Sequence, residues 1–193
     1  LMREGPIDAA LAEQIRAGRR RPRGQLLPQT LLAHCGYLAA AGYRYLRVMR
    51  IAIHPACQQQ GQGGRFIAAL TAHYRLHADF LGCSFAATPE LLHFWRKQGW
   101  QAVRLGLSKD VATGCHAAVL LTALRPELQP QLSTWQQQFQ QQLPVWLAHI
   151  LSDLAADIIL PLLQPATSEP LTAQEQQDLL AFTDHHRSPD HSW

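Results

Sequence analysis

The stretch Arg50-Ile51-Ala52-Ile53-His54-Pro55-Ala56-Cys57-Gln58-Gln59-Gln60-Gly61-Gln62-Gly63-Gly64 decides the fold. Its first half continues a run of strand-forming residues that begins at Tyr45 and includes Leu46, Val48, Ile51 and Ile53. His54-Pro55 ends that run, because proline has no N–H to give to a ladder. Its second half is a glycine turn. Beyond the turn Phe66, Ile67, Leu70 and Tyr74 recur at helical spacing, which predicts a helix from Gly63 to His77. Strand, glycine turn and helix therefore follow one another without a gap.

Working outward towards the C-terminus, Phe80–Phe85 reads as a short buried strand. Glu90–Gln98 reads as a helix, with Pro89 suited to its first turn and Gly99 to its C-terminal stop. Ala102–Leu107 and His116–Ala123 read as two more strands joined by a Lys109–Gly114 loop. The order strand–helix–strand–helix–strand–strand predicts an α/β fold with a mixed sheet flanked by helices.

Towards the N-terminus, a helix is expected around Asp8–Ala17 with Asp8 as its cap, then an arginine-rich Pro/Gly turn, then a second helix over Gln29–Ala41. Past Pro126 the chain turns glutamine-rich. Leu128, Leu132, Trp135, Phe139 and Leu143 form one helical stripe with the glutamines facing away from it, and Pro144 is expected to end that helix. A further helix is expected over Val145–Leu160, and Thr172-x-x-Glu175 reads as a capping box for a last short one, before a frayed Asp184–Trp193. The domain reading is 1–125 as one α/β domain, with its core at about 45–125, and 126–193 as a helical C-terminal tail.

Composition narrows the function classes. Hydrophobic residues make up 47% of the 193 and charged residues 16%, which describes a folded globular chain rather than a disordered one. The four cysteines, Cys35, Cys57, Cys83 and Cys115, include no C-x-x-C pair, so reduced thiols in a cytoplasmic protein are expected rather than a disulfide framework or zinc ribbon. His73 and His77 have the spacing of a metal pair but no evident third ligand, so no metal is expected. The apolar run Val145–Leu163 contains Asp153 and Asp157, which argues against a membrane span. The chain opens on Leu1 rather than methionine, which suggests a piece of something longer.

The net charge is only +3, from 17 lysines and arginines against 14 acidic residues, but Arg16, Arg19, Arg20, Arg21 and Arg23 crowd one segment. Such a cluster either contacts phosphates, with salt-dependent binding, or is a solvated basic loop.

The glycine turn suits a pyrophosphate. Backbone N–H groups at a helix start face an anion that the helix dipole also favours. The backbone must come close, and Gly61, Gly63 and Gly64 present no side chain to prevent it. A pantetheine arm carries amides that can pair with a strand edge, for which Met49–Ile53 is the candidate. G-x-x-x-x-G-K-[ST] is absent, and so is the G-x-G-x-x-G of dinucleotide folds. The competing reading is a plain loop.

Q-x-x-G-x-G at Gln58–Gly63, after Arg50–Pro55, resembles the acetyl-CoA signature of the GNAT acetyltransferase superfamily, and Phe94-Trp95-Arg96-Lys97-Gln98-Gly99-Trp100 resembles its second helix. Arg21-Pro22-Arg23-Gly24, Arg50–Pro55, Ser84-Phe85, Glu90-Leu91, Phe94-Trp95 and Gly114-Cys115 together resemble the tRNA(Met) cytidine acetyltransferases over about residues 15–125. In that family the GNAT domain follows an ATP-dependent helicase-like module, so ATP is expected only where that module is present.

The resemblance implies a GNAT-like sheet and transfer of acetyl to the exocyclic amine of a tRNA anticodon cytidine, giving N(4)-acetylcytidine. It implies that Ile51, Ala52, Ile53, Gln58, Gln59, Gln60, Gly61, Gln62, Gly63, Gly64, Glu90 and Lys97 hold acetyl-CoA, and that Arg19, Arg20, Arg21 and Arg23 meet tRNA. Gly64 and Lys97 stand where the family carries arginine. Many GNAT enzymes place an acidic tyrosine four residues before the motif glycine; here that position is Trp95, either a core aromatic or a positioning group. Glu90 and His54 are the candidates for proton transfer, with helix capping and a structural histidine as the competing readings. Two other functions are compatible with the chain: a stand-alone GNAT enzyme acting on a protein or small-molecule amine, and a non-catalytic remnant that binds coenzyme A or RNA.

Overall fold

A computed structural model of the chain describes residues 1–163. Five strands, β1 (Met2–Glu4), β2 (Tyr45–Val48), β3 (Phe80–Ala86), β4 (Gln101–Lys109) and β5 (His116–Ala123), form one sheet in the order β1-β2-β3-β5-β4. Only the β2–β3 pair is parallel, running from Tyr45 opposite Phe80 to Val48 opposite Cys83. The other three pairs are antiparallel, so the sheet is mixed as the element order predicts.

Among the described residues six α-helices accompany the sheet: α1 (Ala9–Arg16), α2 (Leu26–Cys35), α3 (Gln62–Tyr74), α4 (Pro89–Lys97), α5 (Gln129–Ala148) and α6 (Ala156–Leu162). Asp8 caps α1 as expected, its carboxylate accepting the Leu11 N–H at 2.9 Å. α2 begins three residues before its expected start, since Pro28 lies in the first turn, where its missing N–H costs nothing. It also ends at Cys35 rather than Ala41, because Gly36 takes the left-handed conformation that stops a helix, and a separate 3-10 turn covers Leu38–Gly42.

α2 and α5 cover one face. Leu27, Leu31, Tyr45, Phe80, Val103, Val119, Leu121, Leu128, Leu132 and Trp135 form a single buried cluster there. Gly82 lets α2 sit down on the sheet, since a Cβ at that position would lie 2.7 Å from Leu27 and 2.5 Å from Leu121. The rings of Tyr43, Phe80 and Trp135 meet at 5.1–5.8 Å. α4 covers the other face, where Trp95 stacks on Phe85 at 6.3 Å and meets Trp100 at 4.4 Å with its ring tilted by 46°.

Four expectations need correction. The strand entering the glycine turn stops at Val48 rather than His54. β3 continues to Ala86 against β5, while the pairing of β2 with β3 ends at Val48 and residues 49–54 have no ladder partner among the described residues. Pro144 lies inside α5, which runs one more turn to Ala148: its missing N–H removes one hydrogen bond close to the helix end. Residues 149–155 then separate α5 from a short α6 instead of one helix over Val145–Leu160. Finally, the stripe Leu128, Leu132, Trp135, Phe139 and Leu143 is buried as expected, but Gln136 on its flank is buried with it, because α5 packs across β4. Strand β1 had no expectation; three residues carry no periodicity.

The compact unit that contains the sheet runs from Leu1 to Leu162. Thr172-x-x-Glu175 and Asp184–Trp193 lie outside the described residues. No helix among the described residues is long and apolar enough to cross a membrane, and none of their His, Cys, Asp and Glu side chains form a group of three able to hold a metal ion.

Candidate cofactor cleft

The end of the β2–β3 pairing at Val48 leaves a segment without ladder partners, residues 49–54, directly before the glycine turn. After it a 3-10 turn, Pro55–Cys57, and a tight turn over residues 58–61 deliver the chain to α3. Two residues take left-handed backbone here, Gly61 with φ 76° and Gln59 with φ 58°. A non-glycine residue in that region is strained by about 1–2 kcal/mol, a cost that persists where the surroundings fix the backbone. The glutamines do the fixing. Gln58 Nε2 donates to the Ile53 carbonyl at 2.9 Å, and Gln60 Nε2 to the Ala56 carbonyl at 3.0 Å.

The first backbone hydrogen bond of α3 runs from Arg65 N–H to Gly61 O at 3.0 Å. The N–H groups of Gln62, Gly63 and Gly64 precede it, and a helix offers such groups no internal partner. They face outward at the positive end of a 13-residue helix. A Cβ at Gly63 would lie 3.0 Å from the Phe94 ring, and one at Gly64 3.0 Å from Gln98 Oε1. The cradle thus exists because both positions lack side chains, and the helix it meets is α4.

Between the α3 start, the extended segment and α4 lies a cleft of about 780 Å³. Ile51, Ala52, Ile53, Gln58, Gln59, Gly61, Gln62, Gly63, Gly64, Glu90 and Lys97 all line it, so eleven of the twelve residues expected to hold a cofactor converge on one surface. Gln60 is the exception: its side chain turns back on the loop. Sequence reading missed Cys57, Leu91, His93, Phe94 and Gln98. The spacing 90, 93, 94, 97 on one face of α4 was the signal that could have found two of them, His93 and Phe94.

The two proton-transfer candidates separate. Glu90 lies on the cleft at the first turn of α4, exposed, and its own backbone N–H followed by Thr88 holds its carboxyl below the ordinary value of 4.5. His54 does not line the cleft. Its Nδ1 accepts the Ala56 N–H at 3.3 Å and caps the 3-10 turn, the structural role. Trp95 is buried among Phe85, Phe94 and Trp100, a core aromatic. Arg19, Arg20, Arg21 and Arg23 stand exposed on the loop between α1 and α2 and are no part of this cleft.

The residues present fit a pyrophosphate carrier: amides and the Lys97 ammonium for phosphates, the backbone of 51–53, which no ladder pairs, for amide pairing, and apolar walls from Ile51, Ile53, Leu91 and Phe94.

A family model described as GNAT acetyltransferase 2 matches residues 1–79 and 75–125. The chain is 45% identical over 127 residues to the tRNA(Met) cytidine acetyltransferase TmcA of Yersinia pestis, covering 65% of this chain and 18% of that protein. It is 38% identical over 120 residues to the tRNA(Met) cytidine acetyltransferase TmcA of Vibrio cholerae, covering 62% and 17%. The chain thus spans less than a fifth of the length of these curated relatives. Among solved structures, an agmatine N-acetyltransferase aligns with a TM-score of 0.39 at 14% identity, over 62% of this chain and 67% of that one.

Proposed function

The chain belongs to the GNAT acetyltransferase 2 family, and from that premise we propose that it transfers acetyl from acetyl-CoA to the exocyclic amine of a tRNA cytidine. The observation that carries the cofactor half is the cleft, where the α3 amides and the unpaired backbone of 51–53 meet. The relatives named tRNA(Met) cytidine acetyltransferase support the acceptor half.

Bound acetyl-CoA would supply an activated acetyl thioester. The Gln62–Gly64 amides and Lys97 would hold the phosphates, and residues 49–53 would orient the arm by backbone pairing. A cytidine amine is neutral, so no base is needed before attack. Its nitrogen bonds to the acyl carbon as the carbon–sulfur bond breaks, one N–H proton is released, and the sulfur ends as a thiol. The nitrogen becomes acidic as the new bond forms, so a weak base suffices. Glu90 is the one carboxylate among the described residues lining the cleft and is ionised at neutral pH, which makes it the proposed proton acceptor. Positioning and polar stabilisation then carry most of the rate.

The test is incubation with acetyl-labelled acetyl-CoA plus either tRNA or a mixed pool of protein and small-molecule amines. Label recovered in a tRNA cytidine is the expected result. Label in the amine pool with blank tRNA would instead make the chain an amine acetyltransferase, and cofactor binding with no transfer to either would make it a binding module.

A further inference from the structure

A second groove, of about 370 Å³, lies between the arginine-rich loop and α2. Its lining includes Arg21, Gln29, His34 and Arg47 and, among the described residues, contains no carboxylate. It opens on the sheet face opposite the cofactor cleft. Arg47 alternates with Leu46 and Val48 and so shares a side of β2 with Tyr45, which packs under α2. α4, one wall of the cleft, instead packs on Phe85 from the other side.

The groove is built rather than incidental. Glu4, with a fully buried side chain, accepts from Arg47 Nε at 2.7 Å with one oxygen and from the Leu27 N–H at 2.7 Å with the other. That fixes the Arg47 guanidinium, whose Nη2 reaches only the weak acceptor Met2 Sδ at 3.4 Å. Gln29 Nε2 donates to the Pro22 carbonyl at 2.6 Å and also to the Gly24 carbonyl, which ties the arginine loop to α2. His34 lies within electrostatic reach of both Arg21 and Arg104. Arg104, half-buried on β4 beside Cys35, does not itself line the groove, and it has no carboxylate in ion-pair range among the described residues. A desolvated cation without a counter-ion is costly, so an anion is the missing partner.

We propose that this groove, through Arg21 and Arg47 around His34 and with Arg104 within electrostatic reach of His34 beyond the lining, seats backbone phosphates of the acceptor RNA on the side of the sheet opposite the cofactor. The inference rests on the reading of the acceptor as RNA. Rigid guanidiniums suit phosphodiester oxygens, which they can bind through two parallel N–H donors. A phosphate of the cofactor is the other source of the same chemistry, and the experiment separates the two.

The experiment is anisotropy of a labelled tRNA anticodon stem-loop with the full chain across a salt series, alongside calorimetric titration of coenzyme A. Arg21→Gln/Arg104→Gln is expected to weaken RNA binding about tenfold and to flatten the slope of log affinity against log salt by about 1–2, since each lost phosphate contact removes about 0.9. Coenzyme A affinity stays unchanged, and Arg21→Lys/Arg104→Lys recovers the slope. An unchanged slope, a wild-type chain without RNA affinity, or weakened coenzyme A binding in the double variant overturns the proposal. Arg21→Gln alone, at an exposed position, gives the same reading should the double variant fail to fold. RNA binding with the expected slope but no cytidine acetylation leaves the groove standing and removes the proposed activity. Acetylation with an unaltered slope does the reverse.

Discussion

His54 and Glu90 lie 36 positions apart in sequence and had equal standing as proton-transfer candidates, yet their surroundings divide them. The His54 ring is engaged by the Ala56 N–H, outside the cleft, so His54→Ala is expected to leave turnover within about threefold of wild type. Glu90 faces the cleft as a carboxylate, and Glu90→Gln is expected to lower kcat about a hundredfold, the low end for general base catalysis. Its depressed pKa means that no rate transition from Glu90 falls near neutral pH. Steady-state kinetics on both variants checks the assignment, and a Glu90→Gln enzyme within threefold of wild type leaves that residue as a helix cap alone.

Elements meet at Asp79, which joins the starts of β2 and β3 to the segment after β5. Burial pushes its carboxyl up. The Arg44 N–H and side chain and the charges of Arg44 and Arg125 pull it down further, so the net direction is below the ordinary 3.8. Arg125 Nη2 lies 2.6 Å from Oδ1, and the Arg44 N–H lies 2.7 Å from Oδ2. A group whose pKa is depressed by folding stabilises above its unfolded value and loses that contribution as pH falls through the folded value. Asp79→Asn should therefore lower stability at pH 7 and lose most of that deficit below the unfolded value of about 3.8, as read by urea denaturation at the two pH values. At the α5–sheet contact, Trp135→Ala removes a side chain 2% exposed among Tyr37, Tyr43 and Phe80, and should cost about 3–5 kcal/mol in the same assay. Elements with strong local signals were legible in sequence: Asp8 before α1, Pro89 and Gly99 around α4, and the stripe of α5. Boundaries set by distant partners were not. Nothing within Tyr45–His54 says that β3 pairs only as far as Val48, and nothing near Pro144 says that the helix has one turn left to run.

For the whole molecule, the glycine turn was legible because its function rests on backbone geometry, which glycines announce at short range. The α4 contribution to the cleft was half legible: Glu90 and Lys97 came from family resemblance, while His93, Phe94 and Gln98 required knowing that α4 leans against Gly63 and Gly64. The basic groove was least legible, since Arg21, Arg47 and the nearby Arg104 come from a loop and two strands spread over 84 positions. The central claim is that one cleft, beside the segment where the β2–β3 pairing has ended, binds coenzyme A through the start of α3. Calorimetric titration of coenzyme A into wild-type and Gly63→Val chains tests it most directly. Valine at position 63 must meet the Phe94 ring, at a stability cost of about 1–3 kcal/mol, and fill the phosphate cradle. Binding by the wild type that weakens at least about tenfold, or roughly 1.4 kcal/mol, in a still-folded variant is the expected result. Equal binding by the two chains, or none by the wild type, would contradict it.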